Sequence, residues 1–376
     1  MGPLQGIRVV EMAGIGPAPF AGMILADLGA TVIRIDPPKR PGIGADLMGR
    51  GKRAIAIDAK KPGAAELIGR IVERSSILIE GFRPGVMERL GLGPSELMVV
   101  NPRLVYGRMT GWGQDGPKAA RSGHDINYIS MSGVLGSIGD EVHGPTIPLN
   151  LVGDFGGGGM LLVAGVLAAL IESHRTGKGQ VVDAAMVDGS LLLMTMIYSM
   201  FQEGGWSSGP GSNLLDGGAP FYCTYGTKDG RWVAVGALEP QFFKELVEVL
   251  DLGERFTTAN QYDQRRWPEM RRAFTERFLR RTRAEWESLF ATSDACVTPV
   301  LTMVEALDHP LHQERGSFVK VGELRQPGPA PRFGNYDEEE RRLRRELVYD
   351  STGILAEIGV AQDEIDVLLN QELVIE

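Results

Sequence analysis

Two stretches carry residue types that can move protons: Gly123-His124-Asp125-Ile126-Asn127-Tyr128 and Asn150-Leu151-Val152-Gly153-Asp154-Phe155-Gly156-Gly157-Gly158-Gly159. The first sets an imidazole beside a carboxylate. The second sets a single carboxylate directly before a glycine run, whose backbone N–H groups can come close to a ligand. Histidine titrates near neutrality by itself, and partial burial brings an aspartate toward the same range. His124 and Asp154 therefore suit a two-base site, which takes a proton from one face of a carbon and returns it on the other. A structural reading competes, since a His followed by Asp also serves as an N-cap, a turn or a satisfied core group. Histidine otherwise occurs only at His143, His174, His309 and His312.

The chain around these residues has 376 positions, enough for two domains, and its 43% hydrophobic and 23% charged residues are those of an ordinary globular protein. A net charge of −9 argues against nucleic-acid or anionic-membrane partners while allowing a local basic pocket for a phosphorylated ligand. With only Cys223 and Cys296, no CxxC and no Cys/His cluster, neither a disulfide framework nor a metal site is expected, and a reducing compartment fits. The N-terminus lacks a basic segment followed by an apolar one, and the longest apolar run, 160–171, is short for a bilayer span and reads as a buried helix. A protein outside the membrane is expected. The terminal Leu373-Val374-Ile375-Glu376 is not a peroxisomal signal, so the expected location is cytoplasmic.

Alternating elements must position the two bases. A strand over 7–11, a helix over 20–28 and a strand over 31–36 form a βαβ unit; strands over 54–58, 76–80 and 104–108, with helices over 63–74 and 86–90, continue it. This implies an α/β fold with a mainly parallel sheet and ligands at the carboxyl ends of its strands. Gly14 and Gly16 are followed by Pro17 and Pro19, a poor dinucleotide fingerprint, so both glycines are read as turn-shaping. Arg34, Lys52, Arg53, Arg83 and Arg108 gather at strand ends and could bind phosphates. A Met-rich helix through Met194, Met196 and Met200 could hold an alkyl chain, although such a stripe is usually core. The large domain is expected over 1–200, completed by 330–376, with a linker over 201–220, a small α+β domain over 221–305 and a return linker over 306–329.

Six segments together resemble the α-methylacyl-CoA racemases: 123–128, Pro-Leu-Asn-Leu-Val-Gly-Asp-Phe at 148–155, Gly-Lys-Gly-Gln-Val-Val-Asp-Ala at 177–184, Leu-Asp-Gly-Gly-Ala-Pro-Phe-Tyr at 215–222, Val-Gly-Ala-Leu-Glu-Pro-Gln-Phe at 235–242 and Asp-Ala-Cys-Val-Thr-Pro-Val-Leu at 294–301. The resemblance runs from about 4 to 332 and implies the family III CoA-transferase fold, in which two subunits interlock, each with a Rossmann-like large domain and a small domain. It implies epimerisation at C2 of 2-methylacyl-CoA thioesters without metal or redox cofactor. Carried over residue by residue, it makes His124 and Asp154 the acid/bases and Asp125 and Glu239 their supports, Glu239 reaching the site from the partner subunit. It assigns CoA contacts to Arg34, Ile57, Asp58, Ala59, Lys60, Arg83, Gly123, Ile126, Asn127 and Tyr128. One departure stands out: Pro37 follows the acid of the second strand where the family usually has Arg, leaving Lys39 or Arg40 as candidate substitutes.

Chemistry and resemblance agree. A thioester acidifies its α C–H, and backbone N–H groups near 123–125 or 153–156 could stabilise the enolate; the sequence leaves that choice open. The acyl group could be a branched fatty chain, a sterol side chain or an aryl-substituted propionyl. Two rivals remain, a CoA-transferase with Asp154 as nucleophile and a non-catalytic acyl-CoA-binding protein. His124 argues against the first, and the full set of site residues against the second.

Overall fold

A computed structural model describes residues 2–38, 47–334 and 346–375. The chain separates into two compact units. One comprises 1–132, 149–194 and 310–376, and the other 133–148 and 195–309. Lys39 and Arg40 lie outside the described residues.

The first unit begins with β1 (Arg8–Met12), α1 (Pro17–Asp27), β2 (Thr31–Asp36) and β3 (Lys52–Ile57). It continues through α2 (Ala64–Glu73), β4 (Ile77–Glu80), α3 (Val86–Arg89), α4 (Pro94–Val100), β5 (Val105–Thr110) and α5 (Asp125–Met131). A π-helix (Leu151–Met160) then leads into α6 (Leu161–Thr176), β6 (Gln180–Ala185) and α7 (Met186–Leu193); the C-terminal segment adds β7 (Val348–Tyr349), α8 (Ser351–Glu357), α9 (Gln362–Asn370) and β8 (Val374–Ile375). The sheet order is β7-β3-β2-β1-β4-β5-β6, all parallel, with β8 antiparallel against β3. The strands are rich in Val, Ile and Ala because helices cover both faces. One core holds Ile33, Ile55, Leu78 and Ile354, and the other Val9, Ile79, Leu162 and Val166.

Helix α1 starts at Pro17 rather than at 20, because Pro17 and Pro19 occupy a first turn whose N–H groups need no intrahelical partner. The expected helix over 160–171 is the middle of a longer one. Leu151–Thr176 is long and apolar enough to cross a membrane by length and composition alone. Here its Leu162, Val163, Val166 and Leu170 are buried in the sheet's helical layer, and Gly107 on β5 leaves room for Val166 and Leu162.

The second unit holds an antiparallel sheet in the order Val297–Pro299, Trp232–Gly236, Tyr222–Gly226. Helices Pro240–Val249, Trp267–Phe278 and Arg283–Phe290 accompany it around an aromatic core of Phe221, Phe243, Phe256, Phe274, Phe278 and Trp286. The segment 201–220 is built structure, since the Asp216 carboxylate collects the backbone N–H groups of Gly211, Asn213 and Gly218 at 2.8–3.0 Å. The segment 306–329 carries helix Pro310–Arg315 and the hairpin Phe318–Val321/Leu324–Pro327. The Met-rich stretch breaks at Met194, and the helix after it, Thr195–Gln202, buries none of its residues. Met196, at 55% exposed, is therefore not core.

Candidate active site

The carboxyl ends of β1, β4 and β5 open into a cleft of about 490 Å³, lined by His124 and Asp154 together with Gly16, Arg83, Arg121 and Tyr128 among others. His124 and Asp154 thus line one cavity within the first unit.

His124 is the N-cap of α5, with extended backbone angles, and Asn127 Oδ1 accepts its N–H at 3.1 Å. The cap fixes the backbone while the His124 side chain stays exposed in the cleft, so a capping position does not remove the imidazole from the cavity. Behind it, Tyr128 is buried against Gly123 and edge-on to Trp112 at 4.8 Å. A side chain at Gly123 would begin 2.8 Å from that ring, so the approach to His124 requires glycine.

Asp154 sits half-buried in the π-helix. Its N–H donates to Asp125 Oδ2 at 2.7 Å, and Asn150 Nδ2 donates to its Oδ2 at 3.0 Å. Burial pushes the Asp154 carboxyl above the usual carboxylate range; the Asn150 hydrogen bond opposes this, the neighbouring Asp125 charge adds to it and His124 counters it. The acid is thereby moved toward the range in which it can both accept and give a proton.

The glycine run does a different job from the one expected of it. Gly157 backs onto Ser190 and Gly189 of α7, Gly158 onto Pro17 and Met186, and Gly159 onto Phe20 of α1, each with room for less than a Cβ. These glycines let the wide π-helix pack between α1 and α7, rather than present N–H groups to a ligand. Gly153 lets the π-helix pack against α5 in turn, since a Cβ there would lie 2.6 Å from Asp125 Oδ2.

Most of the expected phosphate-binding cations are committed internally. Arg34 is 1% exposed and bonds Asp36 at 2.7 Å; Lys52 is buried on Glu11 at 2.6 Å. Arg53 pairs with Asp350 and Glu357, and Arg108 with Glu80 and Glu88. Buried charge needs a partner, and in each case the fold supplies an acid. Arg34 is thus held within the sheet on Asp36 and does not line the cleft. Arg83 alone of this set is exposed and lines the cleft, joined by Arg121. The Arg108 network places it, for Arg108 Nε donates to Glu80 Oε1 at 3.0 Å and Glu80 Oε2 accepts the Phe82 N–H at 2.7 Å.

Ile57 is buried in β3, Asp58 and Ala59 are half-buried just beyond it, and Lys60 is exposed; none lines the cleft. Ile126 and Asn127 are exposed on α5, also outside the lining. Glu239 is exposed at the N-cap of helix Pro240–Val249 in the second unit. Asn150 and Gly16 were missed as site residues. Asn150 could have been found from its spacing, four residues before Asp154 on a helix. Gly16, read as a turn residue, has φ +70°, and a Cβ on it would stand 3.3 Å from Asp154 Oδ2. Among the described residues no group of three or more His, Cys, Asp or Glu is placed to hold a metal ion.

A parallel sheet with helices on both faces, and an imidazole and a carboxylate lining one cleft at its carboxyl edge, defines an α/β protein with groups able to exchange protons with a bound ligand. The model of CoA-transferase family III matches residues 4–346, and the chain belongs to that family. It is 45% identical over 377 residues to the human protein named alpha-methylacyl-CoA racemase, covering 99% of this chain and 97% of that one. The mouse protein of the same name is also 45% identical, over 96% of this chain and 95% of its own length. Among solved structures, a CaiB/BaiF family protein from Brucella suis superposes with a TM-score of 0.80 at 26% identity, covering 95% of this chain and 99% of that one.

Proposed function

We propose that the protein is an isomerase that interconverts (R)- and (S)-2-methylacyl-CoA thioesters by 1,1-proton transfer. The carrying observation is that Asp154, its carboxyl raised by burial, shares one cleft with His124. One of the pair removes the C2 proton, the electron pair of that C–H bond moves into the thioester to give the enolate, and the other base delivers a proton to the opposite face. The two bases exchange protonation states in a turnover and are reset by solvent. Relatives of near-identical length bear the name of this activity.

The enolate oxygen needs donors, and the Asp154 N–H is already spent on Asp125. That favours the 123–125 stretch, where the Asp125 N–H has no acceptor among the described residues. One such donor is worth about 10²–10³ in kcat. Arg83 and Arg121 at the cleft wall suit the phosphates of CoA. Ile15, Met48, Phe82 and Met186 give the acyl group an apolar surface that would accept branched, sterol or aryl chains. The chemistry calls for neither metal nor redox cofactor, because the thioester itself acidifies C2.

The same reading makes the protein a cytoplasmic homodimer of interlocked subunits, with the partner subunit's Glu239 supporting His124. In the first unit, exposed Leu191, Leu192 and Leu193 offer apolar surface that such a dimer would cover. The test is incubation with (R)-2-methylacyl-CoA in D2O without an acceptor acid. Deuterium at C2 together with approach to an even epimer mixture is expected. No exchange, with CoA transfer once a carboxylate is added, would make Asp154 a nucleophile and overturn the assignment.

A further inference from the structure

At the end of the sheet opposite the cleft lies a second, unassigned cavity of about 350 Å³. It is lined by Glu73, Arg74, Ser75, Ser76, Asn101, Arg103, Leu170, Ser173 and His174, all in the first unit. It sits where β4 and β5 begin, and α2, α4 and α6 end close by. In a chain of net charge −9, two guanidinium groups and an imidazole converge here with one carboxylate, Glu73.

Helix C-termini carry partial negative charge, so cations here could simply answer three helix ends. At two of those ends, α2 and α6, other donors are already in place. Asn101 Nδ2 donates to Val72 O at 3.1 Å and Ser75 O at 2.7 Å, the Arg74 N–H caps Ile71 O, and the Gly177 N–H caps Ser173 O. Asn101 Oδ1 holds the Arg103 N–H at 3.1 Å and Ser173 Oγ donates to Arg103 O at 2.8 Å, so the cavity floor is rigid. Among the described residues, the side chains of Arg74, Arg103 and His174 have no hydrogen-bond or ion-pair partner. Arg74, Arg103 and His174 are exposed at the rim of this cavity, and two guanidinium groups with no acid partner beside a hydrogen-bonded floor suit a phosphate dianion chemically.

We propose that this cavity is a second binding site, for a small phosphate-bearing metabolite, separate from the acyl-CoA cleft. Arg74 and Arg103 hold the phosphate oxygens, His174 closes the third side, and a cavity larger than a phosphate leaves room for a short organic body beyond the anion. The site does not depend on the racemase reading.

The test uses the full-length protein saturated with CoA, so that the first cleft is filled, and inorganic phosphate as the probe. The C2 proton resonance of His174, assigned with His174→Gln, is followed against chloride at equal ionic strength. A saturable shift with phosphate but not chloride is expected, lost in the Arg74→Gln/Arg103→Gln double variant and kept in Arg83→Gln. Equal shifts with both salts, or the same saturable shift in the double variant, would overturn the proposal. The wild-type comparison of the two salts decides by itself if the double variant does not fold.

Discussion

The Asp154 N–H donates to Asp125 Oδ2 at 2.7 Å, which ties the π-helix carrying one base to the helix that His124 caps. The two elements that carry these residues are thus tied by a hydrogen bond that neither the His124 nor the Asp154 side chain makes. Asp125→Ala should lower turnover by about 10²-fold, as expected for loosened alignment of reacting groups. Asp125→Asn should recover part of it, because an amide oxygen still accepts that N–H. C2 deuteration rates in D2O for the two variants, read beside their melting temperatures, separate alignment from general destabilisation.

Asn150 opposes the rise in the Asp154 carboxyl by donating to its charged form. With that donor removed in Asn150→Ala, Asp154 should rise further. With the epimer whose C2 proton Asp154 removes, the acid limb of the pH dependence of kcat/KM, below which Asp154 is protonated and cannot act as base, should move to higher pH. The alkaline limb should stay in place.

Stability should carry the opposite mark of the same shift. Asp154 has a folded pKa above its unfolded value of about 3.9, so the folded protein holds the proton more tightly and ionisation costs stability at neutral pH. Asp154→Asn removes that cost. The variant should be inactive and more stable than wild type at neutral pH, and its advantage should shrink as pH falls through the raised pKa. Urea denaturation midpoints across that range test the sign.

Gly16 stands where a Cβ would meet Asp154 Oδ2 at 3.3 Å, with φ +70°. Gly16→Ala should lose about 1–3 kcal/mol, because φ +70° with ψ −123° is a backbone conformation L residues rarely adopt, and should depress kcat more than KM, because the crowded group is a base.

Arg108 compensates Glu80, whose carboxyl burial raises, and Glu80 in turn holds the Phe82 N–H. Arg108→Ala leaves that carboxylate buried without its partner and should cost about 3–5 kcal/mol, read from denaturant midpoints.

Much of this was legible in the sequence. Strand and helix periodicity yields the βαβ alternation of the first unit and the hairpin of the second, and the scarcity of histidine isolates His124 as the imidazole opposite Asp154. What the sequence hid was pairing at a distance. Arg34 and Lys52 look like ligand-binding cations until Asp36 and Glu11 are seen beside them. The run Gly156–Gly159 looks like a ligand cradle until α1 and α7 are seen against it. Local pattern reports element type, whereas the use of a charge or a glycine is decided by elements far along the chain.

The most direct test of the two-base account offers each pure epimer in D2O to His124→Ala and to Asp154→Ala. Both variants should fail to racemise while still binding CoA, and each should exchange the C2 proton of only one epimer, the opposite one in the two cases. Racemisation at the wild-type rate by either variant, or exchange of both epimers by one remaining base, would contradict it.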